Sequence, residues 1–401
     1  MGIQPDFSLI YLPFSMITAD QFLNPCLEFG FNFFTGTPCS YLKPFINYVI
    51  DHKEFAFVDS VNEGEAVALA AGMALGGRRS VVMFQNSGFG NAVNPLTSLT
   101  WTFRIPVLVI VTFRGEPGGA PDEPQHELMG QIMTDMLDTM QMAWEYFPNQ
   151  PDQVLPALQR ADAYMKEHSL PYVFVMRKDD VQPYELQSRA EKHDFISEIH
   201  NQDAFTLPYE QRARRTDALA AIQQVSTSGT VVIATTGKTG RELYELEDRE
   251  NQLYMVGSMG CALALGMGIA MARPDLKKVY VIDGDGALLM RTGSMATAGA
   301  YRPANLTHIL IDNEAHDSTG GQSTVSGGIS FTTIAKGFGY PYSQSTDNPA
   351  QFAELLAQDA QRPGTSFIHY KIQMGSPKTL GRPGIKPYQV AERLADYLRR
   401  Q

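Results

Sequence analysis

Ten short, largely apolar runs mark this chain, and they fall into two series of five. The first comprises "FNFF" (31–34), "FAFV" (55–58), "SVVMF" (80–84), "PVLVIVT" (106–112) and "PYVFVM" (171–176). The second comprises "TVVIAT" (230–235), "QLYMV" (252–256), "KVYVI" (278–282), "LTHILI" (306–311) and "TSFIHYKI" (365–372). A strand with one wet face alternates apolar and polar residues, whereas a strand apolar throughout needs cover on both faces. Helix-period stretches such as "EGEAVALAAGMAL" (63–75) and "PDQVLPALQRADAYMKEH" (151–168) supply that cover. The alternation predicts an α/β protein with two doubly wound parallel-sheet domains. Polar texture between about 178 and 212 divides them. The expected plan is a first domain over 1–180, a linker over 181–212 and a second domain over 213–401, with no middle domain. The two halves show a repeated architecture without a close sequence repeat.

Composition narrows the function. The net charge is −11 and no Lys/Arg-rich run offsets it, so nucleic acid is not an expected partner. A small anionic ligand remains compatible, because its site needs only a few donors. Cys26, Cys39 and Cys261 are widely spaced and form no C-x-x-C, which argues against a disulfide framework, a zinc site or an iron–sulfur cluster. The apolar stretch from Leu9 to Ile17 contains Pro13 and is too short to span a bilayer. The expectation is a cytoplasmic protein with no membrane partner.

Open α/β sheets gather ligands at the carboxyl ends of their strands. "KVYVI" runs into Asp283-Gly284-Asp285-Gly286, and a helix is expected to start near Ala287. The glycines let backbone N–H groups approach a ligand, and an acid beside an anion site makes sense when a cation such as Mg²⁺ lies between them. "LTHILI" ends on Asp312-Asn313-Glu314-Ala315, so Asp285 and Asn313 emerge from neighbouring strands and could reach one ion. An EF-hand reading fails at Ala287 and Ser294, and a P-loop reading of "TTGKTG" fails at Val232. No G-x-G-x-x-G occurs. A plain Asp-Gly turn is the competing reading of the motif alone.

Gly284-Asp285-Gly286 followed by Asn313 resembles the G-D-G…N motif of thiamin-diphosphate enzymes. "VNEGEAVALAAGMA" (61–74) resembles their N-E-x-x-A helix start, and "NSGFGNAVNPLTSLTWTFRIPVLVIVT" (86–112) a further segment of the pyrimidine-binding domain. "VGSMGCALALGMGIA" (256–270) is similar to the glycine-rich stretch of the pyrophosphate-binding domain. Both domains occur without an intervening one. "TGTPCSYLKPF" (35–45), "DEPQHELMG" (122–130), "TTGKTGRELYE" (235–245) and "AHDSTGGQST" (315–324) resemble the phosphonopyruvate/sulfopyruvate decarboxylase family, the phosphonopyruvate branch most of all. Thr37 stands where many relatives have a hydrophobic residue.

That resemblance implies thiamin diphosphate and Mg²⁺ as cofactors, and decarboxylation of 3-phosphonopyruvate to phosphonoacetaldehyde in phosphonate biosynthesis. It implies the Asp285 and Asn313 side chains and the Ala315 carbonyl as metal ligands, with Gly284, Gly286 and Ala287 at the cofactor. Met259 would hold the two cofactor rings in a V. Glu63 would activate the cofactor, although by itself a first-turn glutamate only complements the helix dipole. Glu65 lies two residues away, and only the pattern favours Glu63 over it. His126 is the candidate for later proton transfers, with a structural role the alternative. Gly237, Lys238 and Thr239 are placed for cofactor phosphate, and Ser40, Arg114 and Lys238 for the substrate phosphonate. A solvated surface cation is the alternative for each cation. His308 and His369 read as core histidines, while His316 and Asp317 could face the substrate. A homodimer or larger assembly is implied, because in this fold the cofactor bridges domains of different chains. Rival functions are decarboxylation of sulfopyruvate or another 2-oxoacid, carboligation, and a metal-stabilised binding protein without chemistry.

Overall fold

The structure is a computed structural model that describes residues 16–119, 121–188, 200–202 and 205–401. Its first half forms a six-stranded sheet from β1 (Phe31–Gly36), β2 (Ala56–Asp59), β3 (Arg79–Gln85), β4 (Leu108–Thr112), β5 (Ala143–Tyr146) and β6 (Tyr172–Met176). The strands are all parallel and run in the order β2-β1-β3-β4-β6-β5.

The second half builds a parallel sheet from β7 (His200–Gln202), β8 (Thr230–Ala234), β9 (Gln252–Tyr254), β10 (Lys278–Gly284), β11 (Leu306–Asp312), β14 (Tyr342–Thr346) and β15 (Ser366–Lys371). A two-strand hairpin, β12 (Ala315–His316) with β13 (Gln322–Ser323), lies outside that sheet. The seven-stranded order is β7-β14-β15-β11-β10-β8-β9. Read from β9 and leaving out β7, it is the order of the first sheet. The expected repetition of architecture is therefore present strand for strand. In each sheet the winding reverses beside the first strand, between β1 and β3 and between β8 and β10, where such folds open a crevice.

Cover on both faces explains the unbroken apolar runs. In β4, Leu108 and Ile110 pack into one cluster with Phe22, Phe45 and Phe174, while Val109 and Val111 pack into another with Phe84, Phe89 and Leu137. Two helices are apolar all round because they are buried all round: Glu63–Leu75 and Ala262–Ala272. They cross backbone to backbone. A Cβ on Gly72 would stand 2.0 Å from the Leu265 carbonyl oxygen, and one on Gly268 would stand 2.2 Å from that of Leu69. Their side chains join Val232, Val281 and Leu310 in one core spanning both halves.

The structure adds three strands to the two sheets read from the sequence, besides the β12–β13 hairpin. β5 is an edge strand whose residues are half-buried or exposed, so it carries no apolar run. β14 is polar, its buried Ser343 hydroxyl donating to the Thr332 carbonyl at 3.0 Å. β7 falls inside the expected linker and pairs with β14. The other end of that segment lies on the first half: Val181 bridges Ile17, and Asp51 accepts the Gln187 and Ser188 N–H groups at 2.8 Å. Residues 189–199 and 203–204, and most of the Leu9–Ile17 stretch, lie outside the described residues. The helix after β10 starts at Asp285 rather than near Ala287 and ends at Met290. Among the described residues, no helix is long and apolar enough to cross a membrane.

The glycine contact yields a stability test. Gly72→Ala should cost about 1–3 kcal/mol through overpacking, read as a lower urea midpoint. Gly90→Ala, in a helix with nothing within 4 Å of the new methyl, should be neutral or slightly stabilising.

Candidate active site

Glu63 opens its helix at the crevice of the first sheet. Asn62 caps that helix, its side-chain oxygen accepting the Glu65 N–H at 3.0 Å. The Glu63 carboxylate is half-buried and held from both sides: Thr37 Oγ1 donates to Oε1 at 3.0 Å, and Asn91 Nδ2 donates to Oε2 at 2.8 Å. Gly88 makes the room, since a Cβ there would meet Oε1 at 2.0 Å. The nearby Glu65 is turned elsewhere. It is fully buried, accepts the Val61 N–H at 2.7 Å, and faces Ser294, Thr297 and Arg291 of the second half. Burial pushes its pKa up against those partners. Thr37, which the sequence marked only as a departure, thus holds the Glu63 carboxylate.

Arg114 and Ser40 meet beside this acid. Asn86 fixes the Arg114 backbone, donating to its carbonyl at 2.7 Å and accepting its N–H at 3.2 Å. The guanidinium pairs with Asp122, Nε to Oδ2 at 2.6 Å, lies 4.9 Å from the Tyr41 ring centre, and sets Nη1 3.4 Å from Ser40 Oγ. The Arg114 charge is therefore shared with a carboxylate and is not free. The Arg114 hydrogen bond holds the Asp122 carboxyl well below the usual carboxylate range. His126 packs on the next residue: a Cβ on Gly115 would be 2.2 Å from the His126 carbonyl oxygen. The imidazole is buried, and its Nδ1 has no hydrogen-bond partner among the described residues. Contacts through Arg114 and Gly115 thus tie Ser40, Asp122 and His126 together, and Gly88 joins the Glu63 helix start to the segment that holds Asn86. Asp122 and Asn86 were not singled out from the sequence, although both lie in segments that carried the resemblance.

In the second half, pairing separates the acids at the strand ends. Asp283 turns into the core, 3.1 Å from His308 Nε2, and Asp312 lies 2.9 Å from His369 Nε2. Both histidines are core residues, as expected. Asp285 is 2% exposed and accepts the Thr324 hydroxyl. Its pKa is raised, first by burial and further by the Asp312 charge, with only hydroxyls of Thr324 and Ser326 opposing from side chains. A buried carboxylate in that setting fits a cation, which supplies the missing opposite charge.

Strand register brings Asn313 beside it, because Gly284 pairs with Ile311. Asn313 Nδ2 donates to Asp317 Oδ2 at 2.7 Å, and its Oδ1 accepts the Ala315 N–H at 3.3 Å. Glu314 takes a left-handed φ of 58° between these ligand candidates. Asp317 faces Asn313 and Arg215, at 2.5 Å, which corrects the expectation that it could face the substrate. His316 does face the loop: its Cε1 would be 2.6 Å from a Cβ on Gly286, and Met259 Cε 3.5 Å from the same point. Met259 sits between two left-handed residues, Ser258 and Gly260, and Ser258 Oγ is 2.7 Å from Ser98 Oγ of the first half.

Gly237 has φ 97° and brings the start of the Lys238–Leu246 helix against Ser318. Lys238 is half-buried and Thr239 buried; the Lys238 ammonium makes no ion pair among the described residues. Gly284 has open space where a Cβ would be. No group of three or more His, Cys, Asp or Glu side chains suited to a metal occurs among the described residues. The donors here are one carboxylate, one amide oxygen and one backbone carbonyl. So few protein oxygens suit Mg²⁺ that arrives with the oxygens of a diphosphate.

Residues 16–140 match the thiamine pyrophosphate enzyme N-terminal TPP binding domain, and residues 235–370 the C-terminal TPP binding domain. The chain is 38% identical to phosphonopyruvate decarboxylase of Streptomyces hygroscopicus, over 95% of this chain and 94% of that one. It is 39% identical to that of Streptomyces viridochromogenes, over 96% and 95%. Sulfopyruvate decarboxylase of Methanosarcina acetivorans is 24% identical over 92% and 94%. Among solved structures, benzoylformate decarboxylase from Polynucleobacter necessarius aligns with a TM-score of 0.69 at 12% identity, covering 92% of this chain and 100% of that one.

The Arg114–Asp122 pair predicts a pH signature. Asp122→Asn should lower stability by about 1–3 kcal/mol at neutral pH. Because the folded-state pKa of Asp122 is depressed, its contribution is full above the unfolded value of about 3.9 and is lost as pH falls through the folded one. Parent and variant denaturation curves should therefore differ at pH 7 and approach one another in strong acid.

Proposed function

The chain belongs to the thiamine pyrophosphate enzyme family and is related over nearly its whole length to the phosphonopyruvate decarboxylases, and from that premise we propose that it decarboxylates 3-phosphonopyruvate to phosphonoacetaldehyde. The carboxylate leaves as CO₂ and a proton takes its place on the former keto carbon. When bound, thiamin diphosphate supplies the electron sink that makes loss of CO₂ feasible.

The residues divide that work. The observation that carries the reading is Glu63: a half-buried carboxylate clamped by Thr37 and Asn91, with Gly88 kept free of a side chain to admit it. Glu63 holds a proton against N1′ of the aminopyrimidine. Asp285, Asn313 and the Ala315 carbonyl would hold Mg²⁺, with Gly284, Gly286, Ala287, Gly237, Lys238 and Thr239 around the diphosphate. Met259 supports the rings. Ser40 and Lys238 bind the phosphonate, Lys238 as an ammonium that makes no ion pair among the described residues, and Arg114 through Nη1 beside Ser40. His126, buried with Nδ1 unpaired, moves the later proton.

The enzyme works as a homodimer or larger assembly. Val61, Val256, Met290 and Val325 support this: all are more than half exposed, and each flanks a segment of the site. It acts in the cytoplasm, consistent with Cys26, Cys39 and Cys261 all being unpaired. Its place is in phosphonate formation, where loss of CO₂ makes the sequence irreversible.

Aldehyde release from phosphonopyruvate, sulfopyruvate and pyruvate, with thiamin diphosphate and Mg²⁺ each added or withheld, tests the proposal. The expected result is turnover of phosphonopyruvate that needs both additions. Turnover of sulfopyruvate instead would overturn the substrate, and a ligated product from pyruvate would make the enzyme a carboligase. Glu63→Gln should retain cofactor binding and lose at least about 100-fold in kcat. Gly88→Ala, whose methyl displaces the Glu63 carboxylate, should lose about 10–100-fold.

A further inference from the structure

We propose that Asp317 is a positioning residue for the cation end of the site, turning the Asn313 amide so that its oxygen rather than its nitrogen faces the cation. The proposal rests on reading Asp285 and Asn313 as metal ligands. An amide has two nearly isosteric ends, and only the oxygen can ligate Mg²⁺. Asn313 is buried, so its orientation must be set by protein groups. A carboxylate accepts and cannot donate, so Asp317 Oδ2 at 2.7 Å admits the NH₂ end and repels the oxygen. The Asn313 oxygen is then directed away, where the 3.3 Å contact from the Ala315 N–H leaves it a lone pair.

Asp317 is itself immobilised. Arg215 Nη2 donates to the same Oδ2 at 2.5 Å, and the Gly375 N–H approaches at 3.2 Å. Arg215 is 6% exposed, and its Nη1 reaches Glu242 at 2.9 Å and Ser376 Oγ at 2.9 Å. Glu242 also accepts Thr216 Oγ1 at 2.8 Å and Ser376 Oγ at 2.6 Å. It lies on the Lys238–Leu246 helix, one turn beyond Lys238 and Thr239. The chain Asn313–Asp317–Arg215–Glu242 therefore ties the metal loop to the helix that begins at the diphosphate. Two buried charges and a part-buried third are a costly way to pack a loop, since apolar groups of similar volume fill space at no desolvation penalty. Their arrangement is explained by what it dictates, the facing of one amide.

The test is Mn²⁺ binding, followed by loss of the free-ion electron paramagnetic resonance signal with thiamin diphosphate present, alongside the melting temperature of the metal-free proteins. Asp317→Ala should weaken Mn²⁺ binding about 10–100-fold. Asp317→Asn should bind nearly as the parent does, because the Asn313 and Arg215 contacts both fall on one oxygen that an amide can reproduce. Equal loss in the two variants would overturn the proposal, as it would make charge and not orientation the cause. Unchanged binding in Asp317→Ala, with loss in Asp285→Ala, would overturn the positioning role and leave the ligands standing. Unchanged binding in both would overturn the ligand assignment and the proposal with it. Should Asp317→Ala fail to fold, Asp317→Ser, whose hydroxyl is too short to reach the Asn313 amide, takes its place with the same expected loss. Unchanged binding in Asp317→Ser, with loss in Asp285→Ala, would overturn the proposal.

Discussion

The joint between the two halves depends on two glycines, each meeting a carbonyl of the facing helix. Gly72 and Gly268 let the Glu63–Leu75 and Ala262–Ala272 helices cross with their backbones in contact, and each would collide with the other helix if it carried a Cβ. The first of these helices begins with Glu63; the second follows directly on Met259 and Gly260. Their crossing therefore sets where Glu63 of one half stands relative to the Met259 turn of the other. Close packing transmits such a constraint because a dense interior yields little.

A second principle, pairing of buried charge, decides which acids act. Five acids lie on or beside the candidate metal loop, and four have basic partners: Asp283 with His308, Asp312 with His369, Glu314 with Lys371, and Asp317 with Arg215. Asp285 is left with hydroxyls. The same division appears in the first half, where Glu65 is consumed in the joint between the halves and Glu63 stays at the crevice. Burial with partners makes an acid structural; burial without a cation makes it a candidate ligand.

Legibility followed burial. Continuous apolar strands were readable because cover on both faces forces one composition. β5 and β14 were not, since β5 is a half-wet edge strand and β14 buries hydroxyls that are satisfied locally. The G-D-G…N spacing was visible because backbone approach and the proposed metal ligation restrict residue type at fixed separations, whereas Glu63 was visible only through its resemblance to the N-E-x-x-A helix start. Asp122, Asn86, Thr324 and Arg215 were not, because a hydrogen-bonding partner can come from any point in the chain that the fold brings near.

By itself the sequence determined the two-sheet α/β plan, the strand ends that carry chemistry and the kind of cofactor they suit, since periodicity and short-range spacing are local properties. Only the tertiary structure decided which acid faces the site, that Arg114 shares its charge with Asp122, and that Asp317 looks to Asn313 and Arg215. Those outcomes hang on contacts between residues far apart in the chain, 102 positions for Arg215 and Asp317, and no local pattern records which charges will be neutralised when the chain closes.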